Sequence, residues 1–526
     1  MNDANAFWRS AAYALIAAIT VWRIIYLAAF SPLDLAPDEA YYWTWSRQLD
    51  WCYHSKGPLV AWLIRASCEV LGNTPFAVRF PATLCGGLLL LGLQALARDV
   101  YRCDRLAMAV VCVAATLPIV AAGSMLMTID APFTCAWVWA LVFGHRAVTG
   151  ESTWLWIATG ACVILGVLAK HSMVLWLGSF VLFLAATPEC RAQFTRRGFW
   201  IMTLLAALGA VPIIAWNLVN GWVTLDHTRM HAGMEAADGV HWFGPIHFVG
   251  TQFVVLLGFW FVIWAWAMWS HRPMCEVDPS KRFLWWMSAP TFVFFAVFSV
   301  TNGGGEANWP IPAYLSGSVL AAGWLACEIH NAADWRRRLI IGGGIASVAL
   351  GLVVVVVFHE PIRTQPLFLH IAGPATERHP APIRRVDPTA RLRGWRYLAM
   401  EVDRFRGSLG SRSIEPVLAA ERWTHASELS FYCDGRPAWT CLALVLGDRA
   451  SQFDLWRPNP ICEPSAYRGR TFLIVGLDLK RLRSAFESME SPQPIEYREG
   501  DGLVASWEIA VGRGFRGWDV EERKTK

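Results

Sequence analysis

Between Ser31 and Trp62 the chain reads SPLDLAPDEAYYWTWSRQLDWCYHSKGPLVAW, which sets Asp38, Glu39 and Lys56 among tyrosines and tryptophans. A carboxylate can take a proton from a hydroxyl and a lysine can hold a departing phosphate, so these residue types suit group transfer. Pro37 fits the first position of a helix, and Asp38 and Glu39 would fall in its first turn, where the helix dipole favours their ionised forms. Mutual repulsion and partial burial push the other way, keeping a usable base near neutral pH. The plainer reading is that both acids only cap a helix. Lys56 likewise is either held by the Gly57-Pro58 turn or snorkels to a membrane surface.

Further along, Asp130 in GSMLMTIDAPFTCAW stands either beside Asp38 in a joint site or as an N-cap ahead of Ala-Pro. Lys170 and His171 interrupt an apolar run, where facing a phosphate and anchoring at an interface are both open. Asp226, His227, Arg229 and His231 crowd six positions that could bind phosphate through His and Arg, bind a divalent metal through Asp and His, or simply be solvated. Glu306, Asn308 and Trp309 follow three glycines, read as a flexible approach to a helix starting near Pro310.

The elements that must position these groups belong to a membrane protein. Of 526 residues, 55% are hydrophobic and only 17% charged, too apolar for a soluble multidomain chain. Runs of bilayer length fall at residues 8–30, 78–98, 105–123, 131–147, 153–169, 171–187, 199–217, 246–269, 283–300, 309–327 and 338–358, about eleven spans. The first run is too long for a cleavable signal and reads as a first span. Arg98, Arg102, Arg105, Arg146, Arg196, Arg197, Arg272, Arg282 and Arg336 to Arg338 fall on alternate loops, which are therefore cytoplasmic. The remaining loops, with every candidate above, face outward, and the net charge of +5 reflects topology and not nucleic-acid binding. The Tyr- and Trp-rich helix after Pro37 is expected to lie flat on the membrane interface.

Proline and arginine become frequent from His359. Residues 1–358 thus read as a transmembrane domain and residues 359–526 as a small outer α/β domain, with EPVLAA and TFLIVGL as strands and LKRLRSAFESME as a helix. The fold class is mainly α, a polytopic helix bundle with interfacial helices. Thirteen cysteines show no metal-ligand spacing, and the outer compartment would allow a disulfide between Cys433 and Cys441.

The ordered set PDEAYYW…YHSKGPLVAW, MLMTIDAPFTCAW, WNLVNGWVTLDHT and EANWPIPAYL resembles bacterial glycosyltransferase family 39 over residues 1–358. These GT-C-type transferases include the aminoarabinose transferase of lipid A and are related to protein O-mannosyltransferases. The resemblance implies a GT-C-like bundle in the bacterial inner membrane. It also implies transfer of a sugar from a polyprenyl-phosphate (undecaprenyl-phosphate) donor to lipid A or another envelope glycolipid on the periplasmic side, usually with inversion. Asp38 then matches the family's acidic residue of the first outer loop, as base or acceptor guide, and Asp130 the second-loop Asp. Lys56 matches the lysine on the carrier phosphate, while His227 and Arg229 match a later basic loop approximately. Ser55 stands where the aminoarabinose transferase has a glutamate implicated in metal contact, so a divalent metal is implied less firmly.

The expectation is a catalytic pair Asp38 and Asp130, with Glu39, Lys56, Lys170, His227, Arg229 and Glu306 on the substrates. Transfer to a protein or glycan, a lipid-linked sugar flippase, and an envelope scaffold are the competing readings. A transporter would place its polar groups near the bilayer midplane, often within inverted repeats.

Overall fold

A computed structural model of the chain describes residues 2–231, 240–376, 381–500 and 502–518. All eleven apolar segments are helical. They belong to α1 (Asn2–Ile25, continued by a π turn to Phe30), α4 (Pro75–Tyr101), α5 (Asp104–Thr116), α6 (Pro118–Gly123), α7 (Asp130–Thr149), α8 (Thr153–Ala169), α9 (Val174–Ala186), α10 (Arg197–Val219), α12 (Gly244–Val255), α13 (Phe259–Ser270), α14 (Pro279–Asn302), α15 (Ile311–Asn331) and α16 (Asp334–His359). Short helices α2 (Pro37–Arg47), α3 (Leu59–Leu71), α11 (Val223–His231) and α17 (Pro361–Ala372) complete the membrane part.

Among the described residues, five helices are long and apolar enough to cross a membrane unaided: Asn5–Phe30, Pro75–Tyr101, Arg197–Val219, Pro279–Asn302 and Asp334–His359. Two of the expected straight spans are broken. Pro118, with no amide N–H to donate, separates α5 from α6, and α12 bends by 114° into α13. The second break carries Leu257 and Gly258 at φ of 55° and 66°, the left-handed region that ends a helix.

Beyond α17 lie α18 (Trp395–Gly410), α19 (Trp423–Tyr432) and a six-stranded mixed sheet. Its strands are β1 (Val417–Ala420), β2 (Thr440–Cys441), β3 (Phe472–Gly476), β4 (Phe486–Met489), β5 (Gln493–Glu499) and β6 (Gly502–Phe515). Strand β1 pairs parallel with β2 and β3, while β6 runs antiparallel to β3, β4 and β5. The expected helix LKRLRSAFESME does not form. Leu479–Ala485 is a 3-10 turn and Phe486 opens β4, because its ring joins Phe472 and Phe515 in the core and its backbone pairs with β6. Cys433 and Cys441 are both buried free thiols, so the disulfide is absent.

The aromatic face of α2 is also placed differently from expectation. Instead of lying on lipid, Trp43 meets Phe431 edge-on at 4.9 Å, and Tyr41 packs on Trp423 at 4.7 Å and Phe453 at 5.8 Å. One hydrophobic core therefore runs from α2 and α3 into α19 and the sheet. The shape-matched partner surface of α19 removes more aromatic area from water than an interfacial position would.

Candidate active site

The loop between α1 and α2 is held down by ionic and backbone bonds. Asp34 accepts from the Trp395 N–H at 2.9 Å and pairs with Arg396 at 3.1 Å, while its own N–H donates to Leu392 O. Pro37 then opens α2, and Glu39 reaches back to accept from the Ala36 N–H at 2.8 Å. The rest of the Glu39 carboxylate faces Arg79, whose Nη2 lies 2.8 Å away, and the Met127 N–H at 2.8 Å. Arg79 also donates to Leu33 O and Asp34 O, and both side chains of the pair are buried. Glu39, expected on a substrate, thus has its oxygens committed to the chain itself and ties α2 to α4 and to the loop before α7.

That anchoring turns the neighbouring Asp38 the other way. Asp38 is exposed to water yet densely surrounded by protein, which together describe the wall of a recess. Burial lifts its carboxyl above the ordinary range; the charge of Lys56 opposes this, and those of Glu39 and Asp130 add to it. Lys56 lies in a compact turn in which the Tyr53 N–H donates to Lys56 O at 3.1 Å and Thr224 Oγ1 donates to Tyr53 O at 3.1 Å. Gly57 makes this turn possible: a Cβ there would stand 2.2 Å from the carbonyl oxygen of Leu168. The close approach sets Lys56 beside the C-terminal end of α8 and its capping residue, Lys170. Burial, then the charge of Lys170, pulls the Lys56 ammonium below its usual value, and Asp130 and Asp38 pull it back.

Asp130 is the first residue of α7 and makes no cap bond to the helix; Thr128 and Ile129 lead into the turn. Its two oxygens instead accept from Lys170 Nζ at 2.7 Å and Asn308 Nδ2 at 2.5 Å. Asn308 arrives on the tight loop Gly303 to Gly305, where φ values of 74°, 134° and 67° require glycine. Lys170 and Asp130 are thus in direct contact, and Asp38 and Lys56 lie near enough for their charges to act on each other and on Asp130, although the four come from separate segments.

Other candidates lie further out. His227 is buried with its ring against His54 at 5.2 Å, whereas Asp226 and Arg229 form an exposed pair at 3.7 Å. Glu306 is exposed, and His231 has a side chain outside the described residues. Two cations of the C-terminal part of the chain are not singled out by the sequence: Arg449, which acts on Lys56 and His54, and Arg391, which acts on Asp38. Nothing local marks either among so many arginines. The donor set does not suit a divalent cation, since Ser55 offers a hydroxyl only and Asp130 is committed to Lys170 and Asn308. Among the described residues no three His, Cys, Asp or Glu side chains are grouped to hold a metal ion.

Residues 55–216, which include Lys56, Asp130 and Lys170, match the profile of the dolichyl-phosphate-mannose-protein mannosyltransferase family. The chain is 28% identical over 345 residues to the lipid A galacturonosyltransferase RgtD of Rhizobium johnstonii, covering 65% of this chain and 70% of that enzyme. It is 24% identical over 378 residues to the undecaprenyl phosphate-alpha-4-amino-4-deoxy-L-arabinose arabinosyl transferase of Pectobacterium atrosepticum, covering 65% of this chain and 66% of that enzyme. The crystal structures of ArnT from Cupriavidus metallidurans, apo and bound to undecaprenyl phosphate, superpose with TM-scores of 0.59 and 0.63 at 14% identity, over 94% of this chain and 97% of ArnT. With this fold and this sequence likeness, the chain is a membrane glycosyltransferase that has the fold of ArnT and is similar in sequence to the dolichyl-phosphate-mannose-protein mannosyltransferases and the lipid A glycosyltransferases.

Proposed function

We propose that this protein moves a sugar from undecaprenyl phosphate to lipid A or a similar envelope glycolipid at the periplasmic face of the inner membrane. The observation that carries this reading is the water-exposed Asp38 set where the charges of Lys56 and Asp130 act on it, with Lys170 bonded to that Asp130. Asp38 takes the proton of the acceptor hydroxyl as its oxygen attacks the anomeric carbon; the bond from that carbon to the phosphate oxygen breaks, and Lys56 steadies the phosphate that leaves. One carboxylate serving as base fits inversion, whereas retention through a covalent sugar would need a second acting as nucleophile. Asp130, bound to Lys170 and Asn308, is a positioning residue that fixes where the second cation sits.

Every member of this cluster lies in a loop or at a helix end, which favours chemistry at a membrane surface over a transport path at the midplane. The reading routes no step through a metal, so EDTA is expected to leave the initial rate of transfer unchanged. The test is transfer by purified, reconstituted protein from defined undecaprenyl-phosphate sugars to lipid A, read by mass spectrometry, alongside lipid profiles of cells with and without the gene. Asp38→Asn is expected to lower the rate by about 10²–10⁴-fold, the usual contribution of a positioned base. Full transfer by that variant would overturn the assignment of Asp38.

A further inference from the structure

Away from the recess, a cleft of about 900 Å3 opens between the end of α2 and the sheet domain. Gln48, the residue that ends α2, lies on its rim, and Asp403, Arg406, Trp456, Arg457 and Tyr467 line it. We infer that this cleft binds the outer sugars of the acceptor, so that the substrate is a glycolipid carrying a short oligosaccharide and not a single sugar on lipid. The inference rests on the transferase reading above and extends it to the acceptor.

The character of the lining selects the ligand. Trp456 and Tyr467 are half-buried and keep part of each ring available, and an aromatic face packs well against the C–H face of a pyranose. Arg406 and Arg457 stand among three carboxylates, Asp403, Glu415 and Asp434, a mixed-sign set that offers both donors and acceptors to paired hydroxyls. A purely apolar chain would strip water from these polar groups and offer them nothing in its place.

Several of these groups are already held in place. Asp403 accepts from Arg406 Nη1 at 2.5 Å and from the Asp434 N–H at 2.8 Å, and Arg457 Nη1 donates to Asp454 O and Trp456 O at 2.9 and 3.0 Å. Groups ordered before the ligand arrives lose little freedom on binding. The volume lies near the upper end of small-ligand pockets, room for more than one sugar.

Its place in the fold ties the cleft to the chemistry. From Asp38 to Gln48 the rise along α2 is about 15 Å at about 1.5 Å per residue. A single sugar cannot cover that reach, and a short oligosaccharide can. The same helix would then carry the base at one end and the rim of the glycan subsite at the other.

The experiment uses the full chain in nanodiscs and two acceptors, rough lipopolysaccharide and lipid A stripped of further sugars. Trp456→Ala and the exposed Arg457→Ala are expected to raise KM for rough lipopolysaccharide about tenfold, the loss of roughly one stacking or charged contact. Their kcat, and KM for bare lipid A, should stay at the wild-type values. Equal changes for both acceptors, or none for either, would overturn the inference. The water-soluble oligosaccharide from deacylated rough lipopolysaccharide gives an independent reading by saturation-transfer NMR. Binding that is lost in Arg457→Ala supports the cleft even if wild-type protein transfers no sugar, in which case the transferase reading alone fails. No binding to wild-type protein counts against the cleft whatever the transfer assay shows.

Discussion

Replacing Glu39 by Gln keeps the size and most of the hydrogen-bonding shape of the side chain but removes its charge, leaving the guanidinium of Arg79 buried without an anion. Arg79 and Glu39 are 2% and 0% exposed, so water cannot make good the loss. Removing one member of a buried ion pair costs about 3–5 kcal/mol. Against a total stability of about 5–15 kcal/mol, that is a large share. Arg79→Met strands the Glu39 carboxylate and also orphans the carbonyls of Leu33 and Asp34, at about 1–3 kcal/mol for each unpaired group. The double variant should therefore cost less than the sum of the singles, because neither charge is then left alone. Denaturant titration in mixed micelles, followed by the fluorescence of the 30 tryptophans, gives the three values and their coupling. A Glu39→Gln loss below about 1 kcal/mol would show that the pair does not anchor α2 as described, since exposed pairs reach only that much.

The rate of transfer should follow a bell-shaped pH profile. It falls in acid as Asp38 is protonated, with a limb above that of an ordinary carboxylate, and falls in alkali as Lys56 loses its proton, below an ordinary lysine; Lys56→Arg should move the alkaline limb upward. Gly57→Ala drives a Cβ into the Leu168 carbonyl and shifts Lys56 away from Lys170, so kcat/KM should fall by about 10²-fold, the effect of a displacement near 1 Å; an unchanged rate would mean that the turn does not position Lys56. Burial, helped by Arg449, holds His54 near a pKa of about 4. The unfolded chain binds a proton there from about pH 6.5 downward, so the folded state loses stability as pH falls from 6.5 to 4, by about 3 kcal/mol at about 1.4 kcal/mol per unit. His54→Gln should flatten that part of the stability curve, measured by the same titration at pH 7 and pH 4.5.

Local signals in the chain carried the start of α2, because Pro37 followed by two acids marks a helix N-terminus whatever surrounds it. Apolar length carried the helical segments for the same reason: lipid offers the backbone no other partner. The meeting of Asp130 with Lys170 and Asn308 was not legible, since the partners lie 40 and 178 residues away and nothing local encodes that proximity. Glu39 was assigned to a substrate because Arg79, in an apolar stretch of α4, gives no sign in the sequence that it turns inward. Residues 479–490 have helical spacing, yet pairing of Phe486 with Phe515 across β4 and β6 overrides it. The aromatics of α2 satisfied two environments equally well, and only the position of α19 decides between them.

The burial of α2 beneath a domain that is synthesised much later sets an order of assembly. The Gln452 N–H donates to Tyr41 Oη across 411 residues of chain. At about 5–20 residues per second, roughly 20–80 s separate the emergence of the two partners from the ribosome. Throughout that interval α2 holds its tyrosines and tryptophans without their final cover, and the headgroup layer of the membrane is the place such side chains tolerate best. The packing around the helix that bears Asp38 is therefore completed only once the last third of the chain has been made, which places the final seating of that residue among the closing events of biogenesis.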